Sequence, residues 1–115
     1  MKQQIVQLFL FFTFISFSQI NYSEIYNSQQ FIDDGIAQHD AENYLEAIKL
    51  YEKVAQTDPL FLKATYEKLY SMGEAEQSEA QKDIFEKIYD TDLMDDLPEF
   101  YILYGSFLSN QKMYE

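Results

Sequence analysis

One short string occurs twice in this chain and restricts the folds open to it. Leu50-Tyr51-Glu52-Lys53-Val54 returns as Ile84-Phe85-Glu86-Lys87-Ile88, with matching chemistry at every place. A period of about 34 residues is the signature of stacked supersecondary units, each too small to bury its own apolar face. The first copy sits in a well-marked segment, Asn43 to Pro59. Within it Tyr44, Ala47, Ile48, Tyr51, Val54 and Ala55 recur at helical spacing and form one apolar face. Glu42, Glu46, Lys49, Glu52 and Lys53 lie mostly on the other side. Asp58-Pro59 closes the segment, because the residue before a proline is pushed out of the α region.

The register set by this helix assigns the rest of the chain. Ser28 to His39 reads as a first helix with Ser28 as N-cap, and Asp40 to Asn43 as a polar turn. Gly35 lies inside that helix, where glycine costs up to ~1 kcal/mol against alanine, a cost that close helix–helix approach would explain. A second pair follows: Leu62 to Met72, a turn at Gly73-Glu74, then Ser78 to Asp90. Ser78 and Gln81 suggest a capping box, and Ala80, Ile84, Phe85, Ile88 and Tyr89 the apolar face. Asp90 to Asp96 is a connector. Glu99 to Asn110 is a third helix of the first kind. Gly105 echoes Gly35 and Tyr114 echoes Tyr44, each two periods and a small insertion further on. The expected fold class is all-α: antiparallel helix-turn-helix repeats stacked as a short α-solenoid after a cleavable signal peptide. The expected units are 28–61, 62–96 and an incomplete 97–115, after a lead-in at 19–27.

Met1 to Ser18 carries the signal-peptide reading. Lys2 supplies the positive end, Ile5 to Phe17 the apolar run, and Ser16 and Ser18 the small-x-small cleavage signal. The run is shorter than the ~20 residues a spanning helix needs. The expectation is therefore export, to periplasm or exterior, without stable membrane insertion. Twenty acids face eight lysines and no arginine, which excludes a phosphate-tracking nucleic-acid binder. No cysteine is present, so disulfides, thiolate metal sites and cysteine nucleophiles are excluded. His39 is the sole histidine and reads as a solvated residue by the turn. No serine has a recognisable His–Asp pairing. Asp90-Thr91-Asp92-Leu93-Met94-Asp95-Asp96 fails as a calcium loop, since Met94, Asp95 and Tyr101 stand where a ligand, a glycine and a glutamate are needed. No cofactor or metal is implied, and no catalytic constellation stands out.

This pattern resembles the tetratricopeptide repeat family, whose first helix carries an aromatic and a glycine and whose second carries an alanine, an aromatic and a closing proline. The first unit supplies Phe31, Gly35, Ala47, Tyr51 and Pro59, and departs at Asp34 and Gln38. The second is degenerate, with Leu69 for the glycine, Gln81 for the alanine and Leu93 for the proline. The third offers Tyr101, Gly105, Leu108 and Tyr114. Another α-solenoid of paired helices is the competing fold. The resemblance implies a concave groove that binds a peptide or protein segment, lined here by Gln29, Ile32, Ile36, Lys63, Tyr66, Tyr70, Glu99 and Ile102. Of the cations a carboxylate-grasping groove requires, only Lys63 is present, which favours an apolar segment over an acidic tail. Ordinary inter-helix packing is the competing role for Ile36, Tyr66 and Tyr70. The implied function is a non-enzymatic protein–protein interaction scaffold of the cell envelope. The alternative is the N-terminal input module of a membrane-bound signalling regulator. The third unit lacks its second helix, so the chain is expected to be part of a longer protein. If this sequence is the whole, a homodimer through the C-terminal helix is expected instead.

Overall fold

The computed structural model describes residues 27–114, with side chains described to 112. The segment read as a signal peptide, residues 1–18, and most of the lead-in lie outside the described residues. Six helices are described: α1 (residues 27–40), α2 (Tyr44–Tyr51), α3 (Phe61–Glu74), α4 (Ser78–Tyr89), α5 (Leu93–Asp96) and α6 (Glu99–Tyr114). No strand occurs among the described residues. The helices pack antiparallel in chain order, with α3 also touching α6. The all-α expectation therefore holds.

Two apolar clusters meet at α3. The first joins Ile32 of α1, Ala47 and Tyr51 of α2, Val54 and Ala64. The second joins Leu69 of α3, Phe85 and Ile88 of α4, Met94 of α5, and Phe100 and Phe107 of α6. Positions one period apart are buried in matching fashion: Tyr51 with Phe85, Val54 with Ile88, Ala47 with Gln81, Gly35 with Leu69. Each large apolar side chain so buried contributes about 1.5–3 kcal/mol.

Gly35 has a steric task. A Cβ there would fall under 3 Å from three carbons of the Tyr51 ring. The missing side chain is what lets α1 lie flat on α2. Gly105 has no such neighbour, and a Cβ there would meet nothing within 4 Å. The two glycines share a register but not a role.

The α1–α2 turn falls where the sequence places it, at residues 41–43, but the α3–α4 turn lies later than the sequence suggests. Gly73 is still within α3, and the α3–α4 turn runs through Ala75, Glu76 and Gln77. Its centre is Glu76, at φ 60, and the centre of the α1–α2 turn is Glu42, at φ 64. Both turns close by the same bonds. Asn43 N–H donates to the Gln38 carbonyl at 2.8 Å, and Gln77 N–H to the Met72 carbonyl at 2.9 Å. Each is a helix C-cap with one left-handed residue, a place that usually falls to glycine. The expected glycine turn is wrong because the chain places a glutamate there, at the equivalent position of both copies.

Three further expectations need correction. Ser28 is inside α1 rather than capping it. Its hydroxyl donates to Asp58, whose other oxygen accepts the Leu60 N–H at 2.8 Å and holds the turn at Pro59. Helix α2 ends at Tyr51, not near Asp58. Lys53 and Val54 then bond three residues back, which turns Val54 inward and leaves Ala55 exposed. Ser78 and Gln81 form no capping box. Gln77 precedes the helix, and the Gln81 amide crosses to the Leu69 carbonyl of α3 at 2.9 Å. Ala80 and Tyr89 consequently face solvent.

Two stability predictions follow from these geometries. Glu42→Gly and Glu76→Gly should each stabilise the fold by roughly 0.5–1 kcal/mol, equally and additively, because both relieve the same left-handed conformation. Gly35→Ala should cost about 1–3 kcal/mol despite alanine's better helix propensity. A Tyr51→Leu background should absorb much of that cost. Urea unfolding of the single and double variants measures both.

Candidate functional site: the α1–α3–α6 face

The side chains singled out from sequence fall into three groups. Ile32 is fully buried in the first cluster and is a packing residue. It stands off the surface because α1 turns this position onto α2 and α3. Ile36 is half-buried against the same cluster. Gln29 and Lys63 lie at the surface or near it, and Gln29 donates to Asp33 one turn on at 2.9 Å. Ile102 is the most exposed large hydrophobic side chain of the described residues, at 74%.

Tyr66, Tyr70 and Glu99 are brought into one neighbourhood. Tyr66 meets Phe100 edge-on, with ring centroids 5.5 Å apart, across the α3–α6 seam. Its phenol is held above the usual pKa by burial first, then by the charges of Glu67 and Glu99 and by Tyr70. Tyr70, one turn further along α3, is 46% exposed. It stacks on His39 of α1 with centroids 4.8 Å apart and planes 22° apart. Tyr44, at the start of α2, meets the same imidazole edge-on at 5.1 Å. Four rings thus run along the seams around α3: Tyr44, His39, Tyr70 and Tyr66. Beyond Tyr70 a cleft of about 640 Å³ opens between α3, α4 and α6, with Leu69, Gly73, Gln81, Leu103 and Phe107 among its walls.

The solvated-histidine expectation for His39 is overturned. The ring is half-buried between two tyrosines, and its Nδ1 shares a 2.8 Å hydrogen bond with Ser71 Oγ. Either group can donate, according to the tautomer. This is a His–Ser pair that sequence reasoning did not find. Ser71 is fully buried, so its hydroxyl cannot reach a substrate, and the bond instead fixes the imidazole plane against Tyr70.

The same seam holds two perturbed groups. Burial raises the Glu67 carboxyl above the usual range, while Lys63 and His39 lower it and Asp40 raises it further. The Tyr51 hydroxyl is buried with no hydrogen-bond partner in good geometry. Burial, and then the Glu67 charge, push its pKa up to about 12, and the Ser71 hydroxyl, already engaged with His39, eases it only in part.

A second cleft, of about 420 Å³, lies on the other side of α3. Its walls include Tyr51, Val54, Phe61 and Ile88, with Lys68 and Lys87 at the edge. Among the described residues no group of three or more His, Asp or Glu is placed to hold a metal ion, and no helix is long and apolar enough to cross a membrane.

Tyr51 gives a pH prediction. Its folded pKa lies above the unfolded value near 10, so the folded state keeps the proton longer. The associated stability is present below pH 10 and is lost as pH rises toward 12. Thermal melts between pH 8 and 12 should fall less steeply for Tyr51→Phe than for the unaltered protein. At neutral pH Tyr51→Phe should be neutral or stabilising, since it removes an unsatisfied buried hydroxyl.

Compared with known proteins, the chain matches no family model, no curated protein and no solved structure, so the α1–α3–α6 face has to be read from its own residues.

Proposed function

We propose that the chain is an exported, non-enzymatic scaffold of the tetratricopeptide type, whose successive helix pairs form a short solenoid. It holds a peptide or protein segment against the α1–α3–α6 face. The observation that carries this reading is the run of rings along that face, Tyr44, His39, Tyr70 and Tyr66, with Tyr70 open to solvent beside a cleft. Rigid aromatics held by neighbours are what a binding surface needs, because they offer contact area at little entropic cost. The repeat reading is supported by the paired left-handed turns at Glu42 and Glu76 and by the equivalent burial of positions one period apart. The export reading rests on the composition of residues 1–18.

Ile32 has no part in such contacts. Tyr70, Tyr66, Ile36, Lys63 and Glu99 remain as the contact set, with Gln29 at one end; Ile102 leaves it, because it stands on the side of α6 opposite the packed Phe100 and Phe107. The non-enzymatic reading is supported by the environment of the one His–Ser pair, whose hydroxyl is enclosed.

The test is crosslinking capture from the organism's envelope with the unaltered protein, Tyr70→Ala and Tyr66→Ala. Tyr89→Ala serves as an exposed-aromatic control elsewhere. Capture should fall about tenfold or more for Tyr70→Ala, since buried aromatic anchors dominate such interfaces, and should persist for Tyr89→Ala. Partners that survive both groove substitutions would show the face to be wrongly assigned.

A further inference from the structure

Helix α6 is apolar on every side from Phe100 to Gly105, with polar residues entering only from Ser106 onward, and only one side of it is used. Phe100 and Phe107 are buried against α3 and α4, with Leu103 and Tyr104 packed beside them. The opposite side carries Tyr101, Ile102, Gly105 and Leu108, all exposed. Their spacing of three and four residues makes them one continuous strip. A helix that is apolar all round is normally covered all round.

The strip is self-complementary. Gly105 stands at its centre with open space above it. Counted outward, Ile102 lies three residues before Gly105 and Leu108 three residues after. Beyond them, Glu99 lies at the N-terminal end and Lys112 at the C-terminal end, both exposed. Asp95 accepts the Tyr101 hydroxyl at 2.5 Å and adds a second acid at the N-terminal end. We propose that this strip binds a second copy of the chain, with two α6 helices crossing antiparallel at Gly105. In that arrangement the two glycines let the backbones approach, as Gly35 lets α1 approach α2. Ile102 of each copy meets Leu108 of the other. Lys112 of each copy reaches the acidic end of the other, near Glu99 and Asp95. A parallel pairing would instead set acid against acid and lysine against lysine, so the charges select the antiparallel one. The four-turn contact is at the small end of specific interfaces, which implies a dimer that forms at micromolar concentration. The groove reading and this one share only Glu99, at the end of the helix; Ile102, Gly105 and Leu108 lie on the side of α6 opposite Phe100 and Phe107, so the two can fail separately.

The test uses the full chain. Sedimentation equilibrium at micromolar concentration should give twice the chain mass. Ile102→Asp and Gly105→Leu should each return it to the mass of one chain, with the helical circular dichroism unchanged, as both positions are exposed. The absence of native cysteine permits a sharper second measurement. Differently tagged Ile102→Cys and Leu108→Cys chains, expressed together and oxidised, should form the mixed disulfide well ahead of either like-with-like disulfide. A single-chain mass for the unaltered protein overturns the proposal. So does a dimer that survives both substitutions, or like-with-like disulfides forming as readily as the mixed one.

Discussion

Helix α3 is the element on which both halves of the structure lean. Ala64 belongs to the cluster with α1 and α2, and Leu69 to the cluster with α4, α5 and α6. A helix gripped from two sides has little circumference left for water, and polar groups near its seams must find partners inside. They do. Thr65 bonds back to the Phe61 carbonyl, Ser71 pairs with His39, and Gln81 reaches the Leu69 carbonyl. The buried polar side chains on and against α3 therefore fasten it rather than penalise it. The Tyr51 hydroxyl is the exception, and it is tolerated because its ring is needed over Gly35.

This double grip also explains which parts of the fold were legible in the sequence. The string at Tyr51–Val54 and its return at Phe85–Ile88 report packing, and packing is what the structure reproduces at both places. Helix ends report local backbone chemistry, and there the reading failed. Gly73 looked like a turn because glycine most readily takes a left-handed φ. It is instead the residue over which the Gln81 amide passes, 3.1 Å from where a Cβ would sit. The left-handed place falls to Glu76, as it falls to Glu42 in the preceding copy. Comparing the two copies residue by residue would have found this, whereas scanning for turn-forming residues could not.

The candidate face was half legible for a related reason. Helical spacing identifies a stripe but not which neighbour covers it. On a helix gripped from two sides, residues one turn apart can differ completely: Tyr66 closes a seam against Phe100, while Tyr70 opens onto a cleft. Ile32 was misplaced because its stripe on α1 faces inward. His39 was missed because its partners, Tyr44, Tyr70 and Ser71, come from two other helices, and no local pattern announces a contact so distant in the chain.

Gly35 and Gly105 show how one sequence register can carry two different physical statements. At Gly35 the space left by the absent side chain is filled by the Tyr51 ring of the next helix. At Gly105 the same space is open, and the residues around it are apolar and exposed. A glycine within a helix lowers its stability in isolation. Gly35 offsets that cost through the contact with Tyr51. Gly105 has no such offset within the described chain. On the physical terms that govern Gly35, the cost at Gly105 is balanced only when another backbone comes close to it. The flanking Ile102 and Leu108, and the opposite charges at the two ends of α6, define what that backbone has to look like.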